Sequence, residues 1–189
     1  MKFKILFSLL ISLNFTCLGQ LKPSKMILKS GDTINGIIGK LKNKTFEYKM
    51  FSNGKSKEID FSEIINIQIR YSKNDIKTYN FFEFDNKFIA VEPSILGKKA
   101  ELYFKTYNVN SSGAGGIRIN QTIVQYYVKK NVEGKLAYLG KYDIFGTMRE
   151  KVIEYFADCN LLVEKVKNKD FRMRNGLEKV VEYYNENCE

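Results

Sequence analysis

The chain has 189 residues, with 31 Lys and Arg against 21 Asp and Glu, a formal net charge of +10. It contains no histidine, which excludes Ser-His-Asp and Cys-His triads, histidine metal ligands and the HExxH zinc helix. Tryptophan is absent too, so 12 Tyr and 14 Phe supply all the aromatic content.

The chain opens MKFKILFSLLISLNFTCLGQ. Lys2 and Lys4 make a positive start, and Ile5 to Phe15 form an apolar core broken only by Ser8, Ser12 and Asn14. Small or polar residues follow, the layout of a removable secretory signal peptide. The apolar run falls short of the about 20 residues that a membrane span needs. The reading is a signal peptide over 1–19, cleavage before Gln20, and a single α+β domain over 20–189, β-rich over 26–145 and helical over 147–188. Cys17 offers an alternative, lipid anchoring, although Asn14 and Phe15 fit a lipidation box poorly. The location implied is periplasmic or extracellular. No other apolar run is long enough to span a membrane.

Short strands come next. Met26–Lys29 leads to a turn at Ser30-Gly31-Asp32, and Thr33–Leu41 forms the second strand. Phe46, Tyr48 and Met50 alternate with polar residues, as in a strand with one wet face. Asn53-Gly54 is a hairpin signal, after which Ile59 and Phe61 resume the alternation. Ile65, Ile67, Ile69 and Tyr71 alternate through a further strand. More strands are predicted at Lys77–Phe84, Phe88–Val91 and Glu101–Tyr107, then a flexible loop at Asn108–Gly116. Ile123–Lys130 and Lys135–Leu139 make a last hairpin.

After Gly146 the period becomes helical. Thr147 with Glu150 forms a capping box, and Met148, Val152 and Phe156 share one face. Leu161–Lys167 is a short helix, and Asn175 with Glu178 signals another start, followed by Leu177, Val180, Val181 and Tyr184. The expected fold is therefore a curved antiparallel sheet, or a small SH3-like or Sm-like barrel with a hairpin, closed by two or three C-terminal helices.

Once Cys17 leaves with the leader, Cys159 and Cys188 remain as an even pair. In an oxidising compartment such a pair suggests a disulfide, the alternative being two buried thiols. A bridge would close a loop of about 30 residues and stabilise by about 3 kcal/mol in the chain-entropy picture.

Candidate chemistry is sparse. Gly36-Ile37-Ile38-Gly39-Lys40 has the wrong spacing for a phosphate loop, and its glycines suit strand curvature better. Glu58, Asp60 and Glu63 could pair as glycosidase carboxylates, but such spacings arise by chance among 21 acids. Phe81-Phe82 and Tyr126-Tyr127 are adjacent aromatic pairs whose members point to opposite strand faces. Either both faces are covered or one displays an aromatic patch, and these four residues are the candidate patch. No catalytic, cofactor-binding or metal-binding residue is assigned. The positive charge is scattered rather than massed, and export separates the chain from nucleic acid, so none is expected as a partner.

The stretch Leu28–Ile69, with its Gly31-Asp32-Thr33-Ile34-Asn35-Gly36-Ile37-Ile38 strand, resembles the opening of uncharacterised exported proteins of the Bacteroidetes group. Leu18-Gly19-Gln20 fits the cut usual in that group, and Asp158-Cys159 with Tyr183-Tyr184-Asn185 and Cys188 is also similar. The resemblance implies no catalytic residue. The function expected is a non-enzymatic binding or interaction module of the cell envelope, its partner a protein, a glycan or an anionic surface. The alternatives are a small-ligand or lipid carrier with an aromatic-lined cavity, and an enzyme of unrecognised mechanism. Mass spectrometry of the exported protein should show Gln20 at its N-terminus; an intact Met1 would contradict the leader.

Overall fold

The structure, a computed structural model, describes residues 24–50, 53–72, 74–112, 118–141 and 147–189, with side chains described at these positions except 111, 112, 118 and 119. The leader and Cys17 lie outside the described residues. Among the described residues ten strands are formed: β1 (Ser24–Leu28), β2 (Thr33–Leu41), β3 (Thr45–Lys49), β4 (Lys57–Asp60), β5 (Ile64–Arg70), β6 (Ile76–Phe84), β7 (Lys87–Leu96), β8 (Ala100–Ser112), β9 (Arg118–Lys130) and β10 (Leu136–Lys141). Three helices follow: α1 (Thr147–Tyr155), α2 (Asn160–Lys167) and α3 (Glu178–Asn187).

The strands form one antiparallel sheet in the order β10-β9-β8-β7-β6-β5-β1-β2-β3-β4. Its two ends, β4 and β10, do not meet, so the fold is the curved open sheet with C-terminal helices and not a closed SH3-like or Sm-like barrel. β7 is the corner of this sheet. Its first half, Lys87–Val91, pairs with β6, and its second half, from Glu92 to Leu96, pairs with β8. The β7–β8 register shifts between Pro93 and Ile95, and a bulge of this kind lets a strand pass from one sheet direction to another. Proline lacks the N–H that a regular ladder uses, which is why the sequence suggests a strand ending at Val91.

The two sides of the corner bury opposite faces. On one face, Met26, Ile37, Phe46, Phe61, Ile67 and Phe81 form the N-terminal core. There the Phe61 ring, which follows β4, lies 4.7 Å from that of Phe81 on β6. On the other face, Phe82 stands edge-on to Tyr103 at 4.9 Å and Phe84 edge-on to Tyr127 at 5.5 Å. β10 touches β6 across this second core. Four strand spacings in a flat sheet would hold them about 19 Å apart, so the sheet folds over itself here.

The helices cover the outer face of β8, β9 and β10 with Val152, Phe156, Leu162, Val181 and Tyr184 packed on Leu102, Val128 and Leu139. Two devices lock them down. The Cys159–Cys188 disulfide ties the start of α2 to the end of α3. Beside it, Lys130 is only 6% exposed, and its Nζ meets Asp158 Oδ1 at 2.9 Å. That ammonium also lies 5.0 Å from the Tyr155 ring centre, 5.7 Å from Phe156 and 5.6 Å from Tyr184. Tyr184 Oη donates to Asp158 Oδ2 at 2.6 Å. Asn185 docks α3 on β8 by accepting from the Lys99 and Ala100 N–H groups at 2.9 Å each and donating to the Ala100 carbonyl at 2.9 Å.

Local departures from the sequence reading have local causes. The β1–β5 register jumps between Ile27–Asn66 and Leu28–Ile64, so Ile65 is the extra residue of a bulge. It is 46% exposed, while Ile64, Ile67 and Ile69 are buried. Phe61 leaves the strand alternation because Phe61–Glu63 forms a 3₁₀ turn, capped by Asp60, which accepts from the Ser62 N–H. Asn175 does not cap the last helix: it ends a separate 3₁₀ turn, and Leu177 stands at the N-cap. The Asn108–Gly116 loop is shorter than expected, because β8 runs to Ser112 paired with β9 from Arg118, its residues 113–116 falling outside those described. Gly39 sits under Phe46, whose ring would clash with a Cβ there, so this glycine serves packing in β2.

Replacing both Cys159 and Cys188 by serine should lower the unfolding free energy by about 3 kcal/mol in urea titration. An unchanged midpoint would contradict a stabilising bridge.

Candidate functional site

The corner in β7 opens a groove. The β7–β8 ladder ends at the Glu92–Phe104 pair, and beyond it β8 continues to Ser112, paired among the described residues with β9 alone. The cavity there measures about 360 Å³. Tyr79 on β6, Ala90 and Glu92 on β7 and Phe104 on β8 line it together. Leu41, Lys42 and Asn43 at the end of β2 line it too, with Phe61. β8 supplies the rest of the lining as Lys105, Thr106, Tyr107 and Asn108. A volume of this order suits a small ligand or a few residues of an extended chain.

Its polar groups are positioned by pairing. Lys77 Nζ lies 3.4 Å from the Glu92 carboxylate, which fixes both side chains on adjoining strands. Tyr79 Oη meets Tyr71 Oη at 3.4 Å. Burial, and then that contact, push the Tyr79 phenol well above its ordinary range, so it stays a neutral hydroxyl. Lys42 is shared between Glu58 and Glu47, the latter at 3.1 Å. These carboxylates, Glu58 first, raise the Lys42 pKa. Lys105 makes no ion pair among the described residues. The floor is thus aromatic, the lining carboxylate Glu92 is paired with Lys77, Lys42 is paired outside the lining, and Lys105 is left, among the described residues, as the cation without a carboxylate partner.

The predicted aromatic patch is not formed. Phe81 is buried in the N-terminal core, whereas its neighbour Phe82 joins Tyr103 in the second core. Tyr127 is buried there as well, and burial raises its phenol to about 12. Tyr126 packs against the helical core. Adjacent aromatic residues point to opposite faces, and here both faces are covered. The residues that do meet at the groove are Lys77, Tyr79, Glu92, Phe104 and Lys105. Tyr79 and Phe104 stand out in sequence as strand aromatics; nothing in the sequence marks the lysines.

Two of the acidic residues considered for hydrolysis, Glu58 and Asp60, are engaged elsewhere. Asp60 caps the 3₁₀ turn, and Glu58 accepts from Lys42 and from Thr45 Oγ1. Glu47, opposite Glu58 across the β3–β4 ladder, accepts from Ser56 Oγ at 2.8 Å. Among the described residues no group of three or more Cys, Asp or Glu is placed to hold a metal ion, and no helix is long and apolar enough to cross a membrane. A comparison with protein-family models, curated proteins and solved structures finds no match to the chain.

The Ser56 hydroxyl first, and the Lys42 ammonium second, lower the Glu47 carboxyl from 4.5 to about 2. A carboxyl depressed in the folded state stabilises fully above its unfolded pKa and loses that contribution as pH falls through the folded value. The β2–β4 network should therefore weaken between pH 4.5 and about 2. Carbon-detected NMR titration should place the Glu47 midpoint near the lower limit and move it up in Lys42→Met. A wild-type midpoint at the ordinary value would contradict the network.

Proposed function

We propose that the protein is a non-enzymatic binding module exported to the cell envelope, and that it takes its ligand in the groove between β7 and β8. The observation that supports this reading is the fork itself. A long sheet parts at its corner and leaves an aromatic floor, the cation of Lys105 and open strand edge together. Such a site offers stacking, charge and backbone hydrogen bonds, which are the means of recognition rather than of bond cleavage. The disulfide suits an oxidising compartment outside the cytoplasm.

The test is retention of envelope material on the immobilised protein. Phe104→Ala and Lys77→Ala, each checked for an unchanged circular dichroism spectrum, should lose most of what the wild type retains. Equal retention by both variants would overturn the groove as the binding site.

A further inference from the structure

The wall of the groove narrows the chemistry of its occupant, an inference that rests on the reading of the groove as the ligand site. From Lys105 to Asn110, β8 is bonded to β9 on one side and, among the described residues, to no strand on the other. In an antiparallel ladder every second residue directs its N–H and C=O away from its partner. These six residues therefore present alternate open donors and acceptors along about 20 Å of edge. On the opposite bank, Lys87–Val91 of β7 is paired, among the described residues, with β6 alone.

The ends of the sheet are guarded in ways this edge is not. β4 has four residues, and Lys57, Glu58 and Asp60 among them are charged. β10 is contacted by α1. Natural edge strands are blunted by shortness, charge, proline or cover. Thr106, Tyr107, Asn108, Val109 and Asn110 carry neither charge nor proline. An edge left open beside a formed pocket is suited to strand addition, in which backbone bonds give affinity and alternate side chains give specificity.

Charge selects the strand. Lys105 stands at the start of the open edge, and the chain remains strongly basic, its +10 falling only by Lys2 and Lys4 when the leader is removed. A second copy pairing edge to edge would bring like charge to like charge, whereas an acidic segment would be drawn in. We infer that the groove receives an extended polypeptide carrying acidic side chains, added as a strand to β8 at Lys105–Asn110. Alternate side chains of the guest lie over Tyr79 and Phe104, and its carboxylates meet Lys105.

The probe is a soluble, end-blocked peptide of about ten alternating valine and glutamate residues, a typical strand length. It should slow hydrogen exchange at every second amide of Lys105–Asn110. Lys105→Glu, or N-methylation of alternate residues in the peptide, should weaken binding by about tenfold or more. The same peptide with lysine for glutamate should not bind. Undiminished binding of the N-methylated peptide, or binding that leaves those amides unprotected, would overturn strand addition. So would a dimeric free protein whose Lys105–Asn110 amides are already protected, because a second copy would then hold the edge. If a chitin-type oligosaccharide shifts the Tyr79 and Phe104 resonances while the peptide does not, strand addition fails and the groove reading stands. If no probe shifts them, both fail.

Discussion

The molecule turns on one strand that belongs to two ladders. β7 gives its first half to β6 and its second half to β8, with the exchange at the bulge beside Pro93. A straight β7 would pair along its whole length with both neighbours and leave no space between them. Because the strand bends, the N-terminal strands bury Phe46, Phe61 and Phe81 on one face while the C-terminal strands bury Tyr103 and Tyr127 on the other. Each core holds its own side of the corner in place. The groove is what remains where the two curvatures separate.

The helical cap makes the C-terminal side rigid enough to sustain that geometry. Lys130 sits almost wholly buried at the end of β9, and its charge is satisfied by Asp158 and three ring faces. The Asp158 carboxyl is pushed up by desolvation, yet the bonds from Tyr184 and Lys130 hold it below its ordinary value. Asp158 therefore stays ionised at neutral pH, and its stabilising contribution is lost only as acid protonates it through that lowered value. Loss of Asp158 would strand the ammonium, at a cost of about 1–3 kcal/mol because the carboxylate side is half exposed. The neighbouring disulfide closes the same region covalently, so β8 and β9 are anchored at their lower ends while their upper halves extend free of β7 and β10.

Much of this was legible in the residues. Thr33–Leu41 is a strand with the predicted bounds, the helices begin at Thr147, and the Cys159–Cys188 pair is bridged. These features depend on neighbours in sequence, or on an even cysteine count. Pro93 hid the second half of β7, because a proline in a strand is tolerated only at an edge or a bulge and the bulge is a property of the partner strand. Ile65 alternates correctly with Ile67 and Ile69, yet it points to solvent, because the one-residue bulge opposite Ile27 and Leu28 resets its side. The groove was the least legible feature. Its residues come from the end of β2 and from β6, β7 and β8, and no local pattern in Lys77, Glu92 or Lys105 announces that they meet. Phe81-Phe82 and Tyr126-Tyr127 showed the correct physics, opposite faces, without showing that both faces would be covered.

The fork between β7 and β8 carries the account, and it is measured most directly by amide hydrogen exchange in the free protein at residue resolution. Alternate amides between Lys105 and Asn110 should exchange rapidly, while those of Leu102 and Tyr103, flanked by β7 and β9, should be strongly protected. Uniform protection along β8 from Leu102 to Asn110 in the monomeric protein would mean that β7 and β8 remain joined and that no open edge exists.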